Sequence, residues 1–457
     1  MDHHQNSRKG PATTIIRDLP MKIPHITSSL FLVATLATGM QVTAATSWGA
    51  EGESMMQRIE HIGSTIFGRR GGYIHPYCSL SGMYQDNVYN SSADKRSDFA
   101  TTLIPGIWVA FPGTRKEIIH VEAANQSPGG LSFGYAPDRE FRRMQAYLNY
   151  SAHLTRYNSE SQADTTDHNL QGYFQYNLRG GLRFELLEVY NDSHDSWSQA
   201  TPGLRDDYKS NITGGRVTYN LGKKISLLGG YRLFTLDYDD DRNAYRDRED
   251  QSITAMVSYR FSPKSSFFLE YDFVDISYDS DPDADSREHH YFAGYQWKIT
   301  GKTTGQFKIG YANKDFAGPG NDSSSDLTLQ TSMSYKFTPK TSITIHAMRQ
   351  YEETDQSDNS SLLTNSVSLS YRQRITSKIQ VNLGFNYRNT TYEGLLISPA
   401  HPEEREDDSY QARFSLEYRF KKWLRALAGY RYVKRDSNDP LYDYDSNEIF
   451  AGLTVSF

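Results

Sequence analysis

Over most of the chain, apolar and polar residues alternate one for one, run after run. In "QSITAMVSYRF" one parity holds Ile253, Ala255, Val257, Tyr259 and Phe261; the other holds Ser252, Thr254, Met256, Ser258 and Arg260. "SYQARFSLEYRF" sets Tyr410, Ala412, Phe414, Leu416, Tyr418 and Phe420 against Gln411, Arg413, Ser415, Glu417 and Arg419. "KIQVNLGFNYR" does the same, and the closing "EIFAGLTVSF" departs from it only at Phe450, which falls among polar neighbours. A period of two is the mark of a β-strand with unlike faces. Counting back from Phe457 predicts strands at 446–457, 423–435, 408–420, 378–392, 361–375, 341–352, 325–337, 303–315 and 288–299. Further strands follow at 265–278, 250–261, 225–238, 208–221, 182–192, 167–178, 144–157, 98–110 and 73–86. That makes 18, with 16 or 20 as alternatives.

The connections alternate in kind. One set is short: "LGKK", "SPKS", "TGKT", "TPKT", "ITSK", "FKKW". The other is long and acidic, as in "DYDDDRNAYRDRED", "DSDPDADSRE" and "SPAHPEEREDD". Tyr219, Tyr259, Tyr295, Tyr335, Tyr371 and Tyr418 recur 36 to 47 residues apart, each just before a short turn. A propeller or solenoid repeat has such a period but would not sort its connections by length. A soluble sandwich would need a second sheet over each apolar face, and its strands are usually shorter. The pattern therefore predicts an all-β fold: a transmembrane, antiparallel, up-and-down β-barrel closed on itself, with lipid against the apolar face.

In such a barrel the aromatics before each short turn form a girdle at the periplasmic headgroups. Its members are Tyr219, Tyr259, Phe261, Tyr295, Trp297, Tyr335, Phe337, Tyr371, Tyr418, Phe420 and Phe457. High β-propensity explains tyrosine as a residue type but not its fixed place. Lys224, Lys264, Lys302, Lys340 and Lys378 follow in the turns, within reach of water or phosphate.

Composition narrows the classes. The 457 residues are 13% aromatic, with 33 Tyr, yet mean hydropathy is −0.67. Soluble cores rely more on Leu, Ile and Val. A net charge of −6 gives no sign of a nucleic-acid partner. Cys78 is alone, so neither an intramolecular disulfide nor a cysteine-based metal site is open to the chain. Residues 21–44, "MKIPHITSSLFLVATLATGMQVTA", read as a signal peptide. Residues 1–20 then form an upstream extension, 45–72 a periplasmic N-terminal segment, and 73–457 the barrel. No run after Ala50 is long and apolar enough for a helical span.

The barrel opens with "GGYIHPYCSLSGMYQDNVYNSSADKRSDFATTLIPGIWVAFPG". Its "HPY" at 75–77, Tyr84, Asp86 and Asn87 in "YQDN", "SDF" at 97–99 and "PGI" at 105–107 resemble an outer-membrane β-barrel porin family associated with exopolysaccharide biosynthesis loci. The resemblance covers most of residues 73–457 and beyond the opening is mainly the hairpin pattern. It implies a channel for secretion or passage of polysaccharide through the bacterial outer membrane. The implied partners are outer-membrane lipid and lipopolysaccharide, the barrel insertion machinery that reads the terminal Phe457, and periplasmic polysaccharide-export components. Residues 111–143 depart from the family's short turn: they read as one long periplasmic turn, with room for an extra hairpin.

On the polar parity lie Arg216, Arg260, Lys308, Lys336, Arg372, Arg388, Arg413, Arg419, Arg425 and Arg431, with Glu270, Asp272 and Glu417 among them. Two readings stand: a basic wall that attracts anionic solutes, or Arg–Glu ladders that balance internal charge and block the bore. The long loops are of similar length, so none stands out as a luminal insert. A general diffusion porin or a structural barrel stays open beside polysaccharide passage. The acidic loops lack the ordered ligand spacing of a calcium loop, so no metal or other cofactor is assigned. His289 and His290, beside Asp283, Asp285, Ser286 and Glu288, invite a hydrolase reading. Adjacent strand residues face opposite ways, however, and no nucleophile motif accompanies them, so no catalytic residue is assigned.

Overall fold

The computed structural model describes residues 73–456 apart from 112–120, 122, 132–142, 198–203, 299–301, 319–322, 357–360 and 399–400, and apart from the side chains of 394–398 and 401–403. The expected extension, signal peptide and N-terminal segment at 1–20, 21–44 and 45–72, and the terminal Phe457, lie outside the described residues.

Among the described residues there are eighteen strands. They are β1 (Ile74–Gln85), β2 (Asp98–Phe111), β3 (Met144–Tyr157), β4 (Thr165–Asn177), β5 (Leu182–His194) and β6 (Asp207–Leu221). Then come β7 (Ile225–Tyr238), β8 (Arg248–Ser262), β9 (Ser265–Tyr278), β10 (Ser286–Trp297), β11 (Thr303–Phe316) and β12 (Ser324–Thr338). Last are β13 (Thr341–Glu352), β14 (Ser361–Arg374), β15 (Ile379–Ser398), β16 (His401–Arg419), β17 (Leu424–Ser437) and β18 (Tyr444–Ser456). Each pairs antiparallel with its neighbours in the chain, and β1 also pairs with β18, so the sheet closes into a barrel. Closure satisfies every strand's hydrogen bonds without a free edge.

Parity decides what each strand shows to each side. Leu186, Leu227, Ile253, Leu269, Leu383 and Leu453 are exposed on the outer face. Ser151, Gln175, Ser252, Glu288, Ser368 and Arg431, of the opposite parity, are buried inside. An Ile309→Arg variant puts a guanidinium on the outer face near the middle of β11. It is expected to cost about 2–4 kcal/mol, read as a lowered guanidinium midpoint for folding into lipid vesicles. Gln306→Arg, facing the bore, should shift that midpoint far less.

The long connections owe their acidity partly to local geometry. Asp164, Asp247, Asp285 and Asp443 each accept, at 2.7 Å, the backbone N–H of Tyr157, Tyr238, Tyr278 and Ser437 respectively. Each carboxylate folds its loop back onto the end of the preceding strand.

Three expectations need correction. The stretch "SPAHPEEREDD" is not a free loop: β15 and β16 continue pairing through it to Ser398–His401, with register shifts after Thr391. The ladder persists because cross-strand backbone bonds remain available there, and bulges absorb the mismatch. Second, the inner wall is not uniformly polar. Val189, Ile212, Phe234, Leu236 and Phe450 point inward and form one packed cluster, which accounts for the parity of Phe450. Third, the segment between β2 and β3 is more than a periplasmic turn. Phe111 and Met144, which flank it, lie at the short-turn end, but Val121 and residues 123–131 lie inside.

Candidate functional site

The basic residues expected in the bore do lie on inward-facing positions, and most face a carboxylate. Arg216 donates to Glu185 from Nε at 2.9 Å and from Nη2 at 3.0 Å. Lys308 Nζ is 2.5 Å from Glu270 and stands 4.0 Å from the centroid of Phe292. Arg388 pairs with Glu352 and donates to Thr364 and Thr390. Glu417 sits 3.1 Å from Arg425 and 3.8 Å from Arg419. Arg431 Nε meets Glu448 at 2.9 Å. Arg413 lies over the Phe450 ring, 5.6 Å from its centroid. Asp272 accepts from the Thr254 hydroxyl. Arg260, Lys336 and Arg372 are half-buried toward the short-turn end. Ion pairs thus run down the bore as far as Glu417–Arg425 near the short turns, where Arg260 and Lys336 add a basic surplus.

The bore is crossed by Val121 and residues 123–131. A Gln171 side chain on β4 brackets Val121, donating to its carbonyl at 2.8 Å. Ala123 bridges Leu131, and the loop between them is closed by Ala124 N–H to Gly130 O (2.7 Å) and Gly130 N–H to Ser127 O (2.8 Å). Gly129 and Gly130 have φ of 68° and 71°, which favour glycine. Space requires glycine as well: a Cβ on Gly130 would fall 2.1 Å from the Phe234 ring, and one on Gly129 would fall 2.4 Å from Ser252 Oγ.

Polar bonds then tie the segment to several walls. Gly129 N–H donates to Asp250 at 2.8 Å, and Arg248 bridges Asp250 and the Asn125 carbonyl. Asn125 donates to Asp195, which also takes Tyr238 OH at 2.7 Å and Arg246 at 2.8 Å. Burial pushes the Asp195 carboxyl up despite the opposing Arg246 charge. The Gln126 carbonyl accepts the Glu353 N–H at 2.6 Å, just beyond β13 and across the barrel from β4. Glu353 in turn accepts from Lys314 (2.5 Å) and Tyr278 (2.7 Å); Lys314 also reaches Glu288 at 3.0 Å. Above them Arg405 lies between Tyr442 and Tyr392, 3.2 and 4.1 Å from their centroids. Asp195, Asp250, Lys314, Glu353 and Arg405 are all exposed by 1% or less. This half of the bore is packed.

A search of curated proteins finds no match. A family model described as "Putative beta-barrel porin 2" matches residues 138–457. The chain belongs to this family of β-barrel porins. Among solved structures, it is similar to Pseudomonas aeruginosa OccK2, with a TM-score of 0.43 and 10% identity over 84% of this chain and 98% of that one. Pseudomonas aeruginosa OprD gives 0.41 and 10% over 86% and 97%, and Acinetobacter baumannii OccAB3 gives 0.42 and 13% over 84% and 99%. Likeness at that level carries no argument about substrate.

For an outer-membrane porin, the short turns face the periplasm and the long loops face outward. The packed tier is then in the extracellular half of this porin's bore, and the basic surplus is at its periplasmic mouth. At that mouth the girdle aromatics face out and touch: Phe261–Tyr295, Tyr295–Trp297, Tyr335–Phe337 and Tyr418–Phe420 have ring centroids 6.3, 5.5, 4.8 and 4.6 Å apart. Tyr219, Tyr259 and Tyr371 share the outward parity. Phe267, stacked on Phe261 at 5.0 Å, belongs with them; an outward aromatic just after a short turn was its signal. The turn lysines 224, 264, 302, 340 and 378 are exposed.

The hydrolase reading finds no assembly. His290 points inward to Glu288 (2.7 Å), whereas His289 points outward to Tyr271 (2.8 Å). Asp285 accepts the backbone N–H of Tyr278 at the end of β9, and Asp283 donates its own N–H to Asp281. Among the described residues no three His, Cys, Asp or Glu converge as metal ligands. Sequence reasoning passed over residues 121–131, Glu353 and Arg405, which read as turn or loop, and Arg246 and Lys314. The last shows inward parity in β11, so its signal was present.

Proposed function

We propose that this porin is a selective, normally closed channel through which a polysaccharide strand crosses the outer membrane. The packed extracellular half of the bore carries the closed, selective part of this reading. A general diffusion porin needs a standing aqueous path; buried ion pairs together with Val121 and residues 123–131, lying across the extracellular half, support a closed one. Polysaccharide as the cargo comes from the resemblance of residues 73–113 to porins of exopolysaccharide loci, and periplasmic export components are the partners it calls for.

A general diffusion porin is the second reading, favoured by the family alone. Liposome swelling separates the two. Vesicles carrying the porin are expected to resist swelling in small neutral sugars, and cells lacking it should retain polysaccharide in the periplasm. Rapid swelling together with normal surface polysaccharide would establish free diffusion instead.

A further inference from the structure

The short turns repeat one backbone bond. The carbonyls of Lys224, Lys264, Lys302, Lys340 and Lys378 accept the N–H groups of Arg260, Lys298, Lys336, Arg374 and Arg419, at 2.7, 2.7, 2.8, 2.7 and 2.8 Å. This stagger sets the five accepting partners' donors at one height of the barrel. All five donors carry cationic side chains of inward parity, at the periplasmic ends of β8, β10, β12, β14 and β16. They span eight strand steps of an eighteen-strand ring, close to half the rim. Successive members stand two strands apart, roughly 10 Å. That is about one Debye length at physiological salt, so their fields overlap.

Counter-charge is sparse. Among the described residues Arg260, Lys298, Lys336 and Arg374 have no carboxylate partner, and Arg419 meets only Glu417 at 3.8 Å. Burial, and after it the nearby Lys336 charge, push the Lys298 ammonium down. Simple balancing of internal charge does not require such an arc: in the extracellular half Arg246, Arg248, Lys314, Arg405 and Arg435 each meet at least one carboxylate.

We propose that this arc is the loading site for a polyanionic glycan, a carboxylate-bearing strand taken up at the periplasmic mouth. An acidic protein domain is a poorer fit because the outward positions at this height are the lipid-facing girdle. Only a ligand slender enough to enter the bore meets all five side chains. The proposal deepens the polysaccharide reading above and rests on it for the carbohydrate; the charge comes from the arc.

The probe is polygalacturonate oligomers, titrated into purified porin in detergent, with neutral maltooligosaccharides alongside. Polygalacturonate is expected to bind, more weakly as salt rises, and the neutral series is not. A triple variant, Arg260→Gln, Lys336→Gln and Arg374→Gln, should weaken binding about tenfold, as expected for the loss of three solvent-screened ion pairs. A control, Lys209→Gln with Lys434→Gln at the extracellular end, should leave it unchanged; heat-modifiable electrophoretic mobility verifies that both barrels fold. Equal binding of neutral oligomers, salt-independent binding, or equal loss in the control overturns the arc. Salt-dependent binding at the arc by a porin whose deletion leaves surface polysaccharide intact would sink the export reading and leave this one standing.

Discussion

Replacing residues 121–131 with a flexible Gly-Ser linker is expected to raise single-channel conductance in planar bilayers several-fold. The segment joins Gln171 on β4 to Glu353 beyond β13, so it crosses the bore instead of hugging one wall. Among the described residues the barrel ladder uses none of its backbone groups, and β2 and β3 pair through their own residues. The strands should therefore stay closed while Asp250, Arg248 and Asp195 lose protein partners and take water. A finer variant, Gly130→Leu, acts through sterics: the side chain would overlap Phe234, at a φ that leucine rarely adopts. It should raise conductance less than the linker, with unchanged electrophoretic mobility. Small sugars should swell liposomes carrying either variant. If both variants conduct like the parent, the barrier lies elsewhere.

The second large effect is on stability. Lys314 is fully buried and is shared by two buried carboxylates, Glu288 and Glu353. Lys314→Met removes the cation and leaves both negative charges out of water, with His290 and Tyr278 as their remaining described partners. Breaking a buried pair in this way costs about 3–5 kcal/mol. Adding Glu353→Gln should restore part of the loss, since one uncompensated charge is gone. The check is the guanidinium midpoint of the lipid-reconstituted barrel, followed by tryptophan fluorescence. A single variant as stable as the parent would mean that the pair stays solvated. The same variant should also loosen the bore, because Glu353 holds Gln126 through its backbone.

Much of the barrel is legible in the residues one at a time. Strands expected at 225–238, 265–278 and 341–352 match β7, β9 and β13 at both ends. Lipid outside and polar groups inside force a period of two, and a tight turn leaves little freedom at the boundary. The basic residue of "SYRF" and "SYKF" could be placed on the inner face by the same parity. That these residues share one height could not, because the stagger between hairpins is a property of the closed sheet.

Residues 121–131 show the opposite case. "VEAANQSPGGL" has no periodicity, and its Ser-Pro-Gly-Gly announces only a turn. The available hint was length: the other periplasmic connections take a few residues, and this one takes dozens. Where so much extra chain goes depends on Phe234, Asp250 and Glu353, each more than a hundred residues further on. Arg405 was hidden differently, in a stretch whose prolines and carboxylates mimic a solvated loop although its strands still pair.

The barrel class, the facing of most side chains and the aromatic belt follow from the chain alone, because each depends on neighbours two residues away and on the solvent at each face. Which carboxylate meets which cation, and what lies across the bore, came only with closure. Ring formation brings together walls far apart in sequence and excludes the water that would otherwise keep those charges apart.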